Sequence, residues 1–404
     1  MRVAFIHPDL GLGGAERLVV DAALSLQELG HSTIICTPFQ DANRTFREVA
    51  PPAPQVPVRV VPLPIPRSLF GRLQAILAAL RCALLAVYVC LFVSFDVAFV
   101  DIVSLPLIVF AVFRKPVLFY CHYPDKLLAT SLAPHSSPSR LKTYYRRFVD
   151  SLEAFSLRFA SVIVCNSRFT ACAFERTFSG LPKPSVIYPC VSIASKERGR
   201  ATEEGITSNA SKFSILSLNR YERKKDIGLA IDALAAMKHH EVRGKKLHLV
   251  IAGGYDERIR ENIEYFNELE ELTKTSGLTD SVTLLRNISD SERRKLLQES
   301  LAVLYTPSNE HFGIVPLEAM AEGIPVIAAN SGGPTESIED RVTGFLCDST
   351  GKSFADAITL VMNDTALAAK MGTAGRERVL NLFARSVMGR ELQNILMRIW
   401  PSGR

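Results

Sequence analysis

The sequence lacks several features that would place the protein in a common class. Its eight cysteines form no CxxC pair and have no metal-ligand spacing, so we expect buried free thiols and no metal. It has no Asp-x-Asp motif and no internal repeat, and the start, MRVAFIHPDL, is typical of a strand rather than a signal peptide. The net charge is only +6, without a basic, aromatic-interleaved stripe, so no nucleic-acid partner is expected. That small excess suits anionic small molecules or an anionic membrane surface.

Long uninterrupted apolar runs are also absent. Residues 73–95 are nearly apolar, but Gln74 and Arg81 interrupt them, and the longest uninterrupted part is 82–93. A membrane-spanning helix needs about 20 apolar residues. A span here would also leave strand 3–8 across the bilayer from later strands of the same predicted sheet. The segment is therefore predicted to be a helix in the membrane interface or an ordinary buried helix, and both alternatives stay open.

The chain does contain a regular alternation of apolar β-branched runs and segments of helical period, which predicts parallel α/β sheets. The alternation runs through residues 1–195, stops in a polar linker at 196–211 and restarts in 212–385. We therefore predict two Rossmann-like doubly wound domains with a ligand cleft between them. Residues 386–404 are predicted to form a helix returning to the first domain. The predicted strands are 3–8, 31–38, 96–101, 116–122, 161–167, 212–220, 247–254, 281–287, 301–307 and 324–330.

Two carboxylates, Glu310 and Glu318, flank a short apolar loop in EHFGIVPLE. A predicted strand ends just before the loop, and Pro316 suits the first position of a helix. Helix N-terminal amides bind phosphate, and Gly313 lets a ligand approach the backbone. The amides in question are those of Gly313, Ile314 and Val315. The pattern indicates a ligand made of sugar, diphosphate and nucleoside, with one glutamate at each hydroxyl-rich end. The alternative is a capping glutamate beside an incidental one.

Two basic residues, Arg220 and Lys225, follow the first strand of the second half, where they could neutralise a diphosphate. A solvated charge run is the alternative. The GLGGAER string at 11–17 departs from a dinucleotide fingerprint at Glu16, so it indicates only an anion-friendly loop.

Taken together, these strings resemble family 4 of the retaining glycosyltransferases, which have the GT-B fold. The resemblance runs almost end to end. Within that family, the chain is similar to mannosyltransferases that extend dolichol-linked Man1GlcNAc2 by an α-1,3 and an α-1,6 mannose. The strings that carry it are GGAER, FYCHYPDKLLA (119–129), NSRFTACAF (166–174), SLNRYERKKDIGLAI (217–231) and YTPSNEHFGIVPLEAMAEGIPVIAANSGGPTESI (305–338).

This resemblance implies a GDP-mannose donor and a dolichyl-diphosphate oligosaccharide acceptor at the cytosolic face of the endoplasmic reticulum membrane. It implies no cofactor, and other mannosyltransferases of the pathway are possible partners. Another GT-B enzyme with a different donor or acceptor, or a non-catalytic GT-B scaffold subunit, is the competing interpretation. The expected catalytic residues are Glu310, His122 and Lys225.

The resemblance also assigns binding roles. The donor diphosphate would meet Arg220 and Lys225, the ribose Glu318, and the mannose Glu310 with the backbone of Phe312, Gly313, Ile314 and Val315. His122 would face the reacting sugar, although a lone histidine is more often packed structurally. Gly13 and Gly14 would let the first domain approach the diphosphate or the acceptor. Gly332 and Gly333 would mark a turn beside the nucleotide, or a plain β-turn.

Overall fold

The chain divides into two compact units. Unit 1 comprises Met1–Cys190 and Arg385–Arg404, and unit 2 comprises Val191–Ala384. The computed structural model describes residues 1–41, 44–69, 73–131, 140–191, 212–237, 240–242 and 244–400. The predicted linker at 196–211 therefore lies outside the described residues.

Unit 1 is built on a parallel sheet with the strand order β3-β2-β1-β4-β5-β6-β7. Its strands are β1 (Arg2–Ile6), β2 (Ser32–Thr37), β3 (Val58–Val60), β4 (Val97–Asp101), β5 (Val117–Cys121), β6 (Val162–Cys165) and β7 (Ser185–Val186). All five residues of β4 and of β5 are buried. This is the burial expected of a parallel sheet covered by helices on both faces.

Helices cover the faces of this sheet. They are α1 (Gly14–Glu28), α2 (Gln74–Phe92), α3 (Pro106–Val112), α4 (Asp125–Ser131), α5 (Arg140–Ser156) and α6 (Arg168–Thr177). A further helix, Arg385–Ile399, packs along α1 and is called here the C-terminal helix. Its residues Met388, Leu392 and Leu396 share a buried core with Leu18 of α1. The last helix of the chain therefore completes the core of unit 1.

The apolar helix α2 is the one described helix that is long and apolar enough to cross a membrane. One of its faces packs on the sheet of unit 1 through Leu85, Ala86 and Val89. The opposite face exposes the large apolar side chains of Leu80, Leu84 and Leu91, and Phe92 is exposed at the end of the helix. The helix thus forms part of the domain's core while leaving an apolar outer face.

Unit 2 repeats the architecture, with the strand order β11-β10-β8-β12-β13-β14. Its strands are β8 (Lys212–Leu218), β9 (Glu241–Val242), β10 (Lys245–Gly253), β11 (Val282–Arg286), β12 (Ser300–Tyr305), β13 (Val326–Ala329) and β14 (Gly344–Cys347). β9 pairs antiparallel with β10, and the other pairings are parallel. The helices are α7 (Gly228–Ala235), α8 (Arg260–Thr275), α9 (Asp290–Gln298), α10 (Ile314–Ala321), α11 (Pro334–Ser337), α12 (Gly351–Asn363) and α13 (Thr365–Leu382).

Two Rossmann-like doubly wound sheets confirm the predicted fold class. Two local expectations were wrong. Helix α10 begins at Ile314, so Pro316 is its third residue, because Gly313 at the cap already turns the chain. The cysteines are all free, but Cys172 is exposed and Cys90 half-buried. Both lie on helices that have one face toward solvent, whereas Cys82, on the inner face of α2, is buried.

Candidate functional site

Each sheet has a point at which the order of its strands reverses, and ligands of doubly wound folds bind at the carboxyl ends of the strands there. In unit 2 this point lies between β8 and β12. Arg220 and Lys225 follow β8, and Glu310 follows β12. The predicted donor residues therefore lie at the edge of the sheet where the fold favours a ligand.

Lys225 and Glu310 form a direct ion pair. Lys225 ends a short 3₁₀ turn, Arg223–Lys225, and its carbonyl oxygen accepts a 2.8 Å hydrogen bond from the Thr306 hydroxyl. The Lys225 side chain is only 12% exposed. Burial would raise the pKa of Glu310, but the Lys225 ammonium holds that pKa below its usual value. An ionised carboxylate and a fixed ammonium thus share a water-poor site.

Tyr305, the last residue of β12, supports the same carboxylate. It is fully buried, and its hydroxyl lies close to the Glu310 carboxylate. Burial, together with the neighbouring Glu310 charge, raises the pKa of this phenol well above its ordinary value. Tyr305 therefore remains a neutral hydrogen-bond donor at any physiological pH.

Glycines shape the loop between Glu310 and α10. Gly313 has φ +82°, and a Cβ there would lie 2.9 Å from the Tyr305 hydroxyl. Gly333 donates its N–H to the Glu310 carbonyl at 2.8 Å. A Cβ on Gly333 would lie 2.2 Å from the Cα of Phe312, and one on Gly332 would lie 2.4 Å from the Glu310 carbonyl oxygen. Gly332 and Gly333 therefore pack directly against the backbone of the loop between Glu310 and α10, which is called here the glutamate loop. A plain turn would not need these close contacts.

Glu318 lies in the second turn of α10, because the helix starts two residues before Pro316. Its carboxylate accepts a hydrogen bond from Arg293 of α9. Burial raises the pKa of Glu318, and Arg293 only partly opposes that rise. Arg293 orients the carboxylate that we expected to meet a ribose.

Arg220 stands apart from the Lys225–Glu310 pair. Its side chain is 64% exposed and pairs with Glu222 at 2.9 Å. It lines a cleft of about 420 Å³ together with Arg293 and Val315. Gly253 also borders this cleft, and its missing Cβ matters because that atom would lie 1.6 Å from the Asn219 carbonyl oxygen. The cleft is bounded by two guanidinium groups and the start of α10, which suits an anionic ligand.

In unit 1, three side chains meet at the corresponding reversal between β1 and β4. Asp101, the last residue of β4, is fully buried. One of its oxygens lies 2.8 Å from His7 Nδ1, and the other lies 3.1 Å from His122 Nε2. His7 follows β1, and His122 follows β5. The predicted catalytic histidine is therefore anchored by a buried carboxylate.

The charges of this cluster are coupled. Burial would raise the pKa of Asp101, but the two imidazoles hold that pKa below its usual value. Burial opposes protonation of His7, yet Asp101 raises the pKa of His7. An ionised carboxylate only accepts hydrogen bonds, so His122 donates from Nε2. The half-buried ring then keeps Nδ1 as an acceptor for a hydroxyl group.

The two predicted glycines at the start of α1, Gly13 at the cap and Gly14 as the first helical residue, differ from each other. A Cβ on Gly13 would lie 2.3 Å from the Glu16 carboxylate, whereas a Cβ on Gly14 would meet nothing within 4 Å. The Glu16 carboxylate ends a flexible side chain that can move aside, so the packing of the loop requires neither glycine. Across the residues that the structure describes, no group of three or more His, Cys, Asp or Glu side chains is placed to hold a metal ion.

Sequence reasoning missed four residues of these sites: His7, Asp101, Arg293 and Tyr305. His7 and Asp101 each end an apolar strand run, a position that could have marked them. Arg293 lies in the charged string DSERRK, where no local signal separates it from its neighbours. In the sequence, nothing distinguishes Tyr305 from an ordinary core residue of a strand.

Comparison with known families agrees with this architecture. Residues 12–195 match the model of Glycosyltransferase Family 4, and residues 200–378 match Glycosyl transferases group 1. Among solved structures, sucrose-phosphate synthase from Thermosynechococcus elongatus is 19% identical, with a TM-score of 0.79 over 100% of both chains. Anabaena HepE, solved in complex with UDP, is 21% identical, with a TM-score of 0.73 over 98% of this chain and 100% of its own. At these identities the likeness concerns the fold.

Curated relatives are much closer. The α-1,3/1,6-mannosyltransferase ALG2 of Homo sapiens is 43% identical over 98% of this chain and 96% of its own length. The enzyme of the same name from Dictyostelium discoideum is 37% identical over 99% of this chain and 98% of its own. The matched family models, the two doubly wound units and this full-length identity lead to one conclusion: the chain belongs to the α-1,3/1,6-mannosyltransferases of glycosyltransferase family 4.

Proposed function

We propose that the protein transfers mannose from GDP-mannose to dolichyl-diphosphate-linked Man1GlcNAc2, first in α-1,3 and then in α-1,6 linkage, with retention at the anomeric carbon. The observation that carries this proposal is the 43% identity to a human α-1,3/1,6-mannosyltransferase over 98% of the chain. The charged pair at the strand reversal of unit 2 supplies matching chemistry.

The donor binds unit 2 in this proposal. Its diphosphate meets Arg220, Lys225 and the amides at the start of α10, where a helix terminus favours negative charge. Its ribose meets Glu318. When the bond to the sugar breaks, negative charge grows on the diphosphate, and a fixed ammonium stabilises it without reorganisation. Glu310, ionised beside Lys225, faces the mannose and stabilises the positive charge that develops there.

The acceptor binds unit 1 in this proposal, where Gly13 and Gly14 at the start of α1 present no side chain to it. His122 lies at the reacting sugar and presents Nδ1 to a hydroxyl group, since Asp101 engages its Nε2. Glu310 at the donor sugar and His122 at the acceptor are therefore both held in a fixed orientation by neighbouring charged groups. Such fixed groups lower the entropic cost of aligning two sugars.

The enzyme acts at the cytosolic face of the endoplasmic reticulum membrane in this proposal. Support comes from the outer face of α2, where Leu84 and Leu91 are among the exposed apolar residues. Such a face can lie in a membrane interface while the inner face stays packed on the sheet.

The test is product analysis with purified protein in liposomes, GDP-mannose and the lipid-linked Man1GlcNAc2 acceptor. Mass spectrometry should show growth by two hexoses, and linkage analysis should find α-1,3 and α-1,6 bonds. Growth by one hexose would assign the second step to a partner. No growth with intact nucleotide binding would overturn the acceptor assignment, and no binding of GDP-mannose would favour a scaffold.

A further inference from the structure

Arg81 is the one charged residue of the apolar helix α2, and it is only 6% exposed. A guanidinium group carries a permanent charge and five N–H donors. Burying such a group is costly unless it is paired and hydrogen-bonded. The buried guanidinium charge of Arg81 therefore needs a compensating group.

Within the described residues the compensation is incomplete. The ion-pair partner of Arg81 is Asp9, with Nη2 and Oδ2 3.7 Å apart, which is too long for a hydrogen bond. The buried Nε of Arg81 has no hydrogen-bond partner. Asp9 is 40% exposed, and its other oxygen lies 3.3 Å from Arg67 Nη2. Two arginines thus share one partly solvated carboxylate, which leaves these three groups with a net positive charge.

The surroundings of this pair have two further properties. Asp9 follows β1 by three residues, so the arginines lie near the strand reversal of unit 1. Leu80 precedes Arg81, and Leu84 lies one turn beyond it; both side chains are more than 40% exposed. An under-neutralised guanidinium beside an exposed apolar row fits a ligand with an anionic head and a long apolar tail.

We propose that Arg81 and Arg67 bind the diphosphate of the polyprenyl-linked acceptor, and that the first part of its polyprenyl chain lies over Leu80 and Leu84. This inference rests on the proposed function and names the residues that would recognise the lipid end of its acceptor. Arginine suits the task because its planar fork donates to two phosphate oxygens at once. In this proposal the diphosphate replaces the partly exposed Asp9 carboxylate as the partner of both guanidinium groups.

Acceptor binding and thermal stability should respond differently to a substitution at Arg81. Arg81→Met replaces an under-paired buried charge by an apolar side chain of similar length. We expect an unchanged or higher Tm, because Asp9 is partly exposed and keeps Arg67 as a partner, so the replacement leaves no buried charge uncompensated. The KM for the lipid-linked acceptor should rise about tenfold to a hundredfold, since charge-assisted phosphate contacts are lost. The kcat at saturating acceptor and the KM for GDP-mannose should stay within about threefold. A lower Tm with an unchanged acceptor KM would assign Arg81 a structural role and overturn the proposal.

Two arginines serve as controls. Arg17 of α1 donates to Asp21 at 2.7 Å and to Glu48 at 2.9 Å. Arg17→Met should lower Tm, because Glu48 loses its ion-pair partner and the buried Asp21 keeps only Arg385, at 3.1 Å. Arg176 is exposed on α6, and Arg176→Met should change neither Tm nor the acceptor KM. The opposite signs expected at Arg81 and Arg17 test the reasoning about pairing directly.

Two additional measurements identify the ligand. Farnesyl diphosphate binding, followed by calorimetry in detergent, should weaken at least tenfold in Arg81→Met; equal binding would overturn the proposal even if the wild type transferred no mannose. Flotation with vesicles of phosphatidylcholine and phosphatidylserine tests a lipid headgroup as the source of the phosphate. Loss of vesicle binding in Arg81→Met, with unchanged farnesyl diphosphate affinity, would assign the site to the membrane instead. Absence of mannosyl transfer by the wild type refutes the proposed function alone.

Discussion

Gly333→Ala is the substitution that most directly tests how the glutamate loop is held. The new Cβ would lie 2.2 Å from the Cα of Phe312, whereas ordinary contacts begin at 3.4 Å. The backbone at Phe312 must therefore move by about 1.2 Å, the difference between these distances. Phe312 is buried, and its ring packs 6.0 Å from that of Phe383, so the shift passes to Glu310 and Gly313. A misplacement of about 1 Å at a reacting group costs roughly 10²-fold in rate.

We therefore expect kcat to fall on the order of 10²-fold, with the fold retained. Steady-state mannosyl transfer measures the rate, and circular dichroism with thermal melting reports the fold. Gly228→Ala is the matched control in the same unit, because its Cβ would meet Leu272 at an ordinary 3.5 Å at the start of α7. A Gly333→Ala enzyme with a kcat within threefold of wild type would refute the claim that this glycine positions the loop.

Lys225→Ala and Glu310→Ala should each lower kcat on the order of 10²–10³-fold, because each removes one charge from a water-poor pair. Near-normal steady-state turnover in either variant would sink that assignment. Asp101→Asn should lower kcat with an unchanged KM for GDP-mannose, because the amide can donate to His122 Nε2 and move the ring proton to Nδ1. Nitrogen NMR of labelled histidines reads the tautomer directly, and an unaltered His122 signal would contradict the argument. Glu153→Gln addresses stability, since burial raises the pKa of Glu153 to about 7. Folded protein then binds this proton in a range where unfolded protein has lost it, so wild-type stability falls as pH rises from about 4.5 to about 7. The free energy of unfolding of the glutamine variant, relative to that of wild type, should rise by roughly 2 kcal/mol between pH 5 and pH 8. An equal difference at both pH values, measured by urea denaturation, would contradict the claim that burial raises the pKa of Glu153.

The strands were predictable because buried parallel strands appear as short apolar runs, and β4 and β5 are buried throughout. The start of α10 was misplaced by two residues, since proline marks a preferred position while the positive φ of Gly313 sets the actual cap. A sequence pattern shows preferences of residues, and the cap is decided by which preference the tertiary structure satisfies.

The candidate site was predictable only in part. Glu310 and Lys225 stand in recognisable strings, but their contact spans 85 residues of sequence. Asp101 meets His7 over 94 residues and His122 over 21. Such partners are brought together by the order of strands in the sheet, which no local pattern encodes. The resemblance to a family supplied roles for single residues, while the structure supplied the groups that orient them.

The C-terminal helix has a consequence for synthesis on the ribosome. It supplies Met388, Leu392 and Leu396 to the core of unit 1, although all of unit 2 lies before it in the chain. Unit 2 can fold as soon as its own residues have emerged, whereas the earlier-made unit 1 exposes the apolar face of α1 until the C-terminal helix has been made. A chain truncated just before Arg385 would therefore carry all residues of the second unit and an incomplete first one, and chaperones that recognise apolar surface should bind its older half.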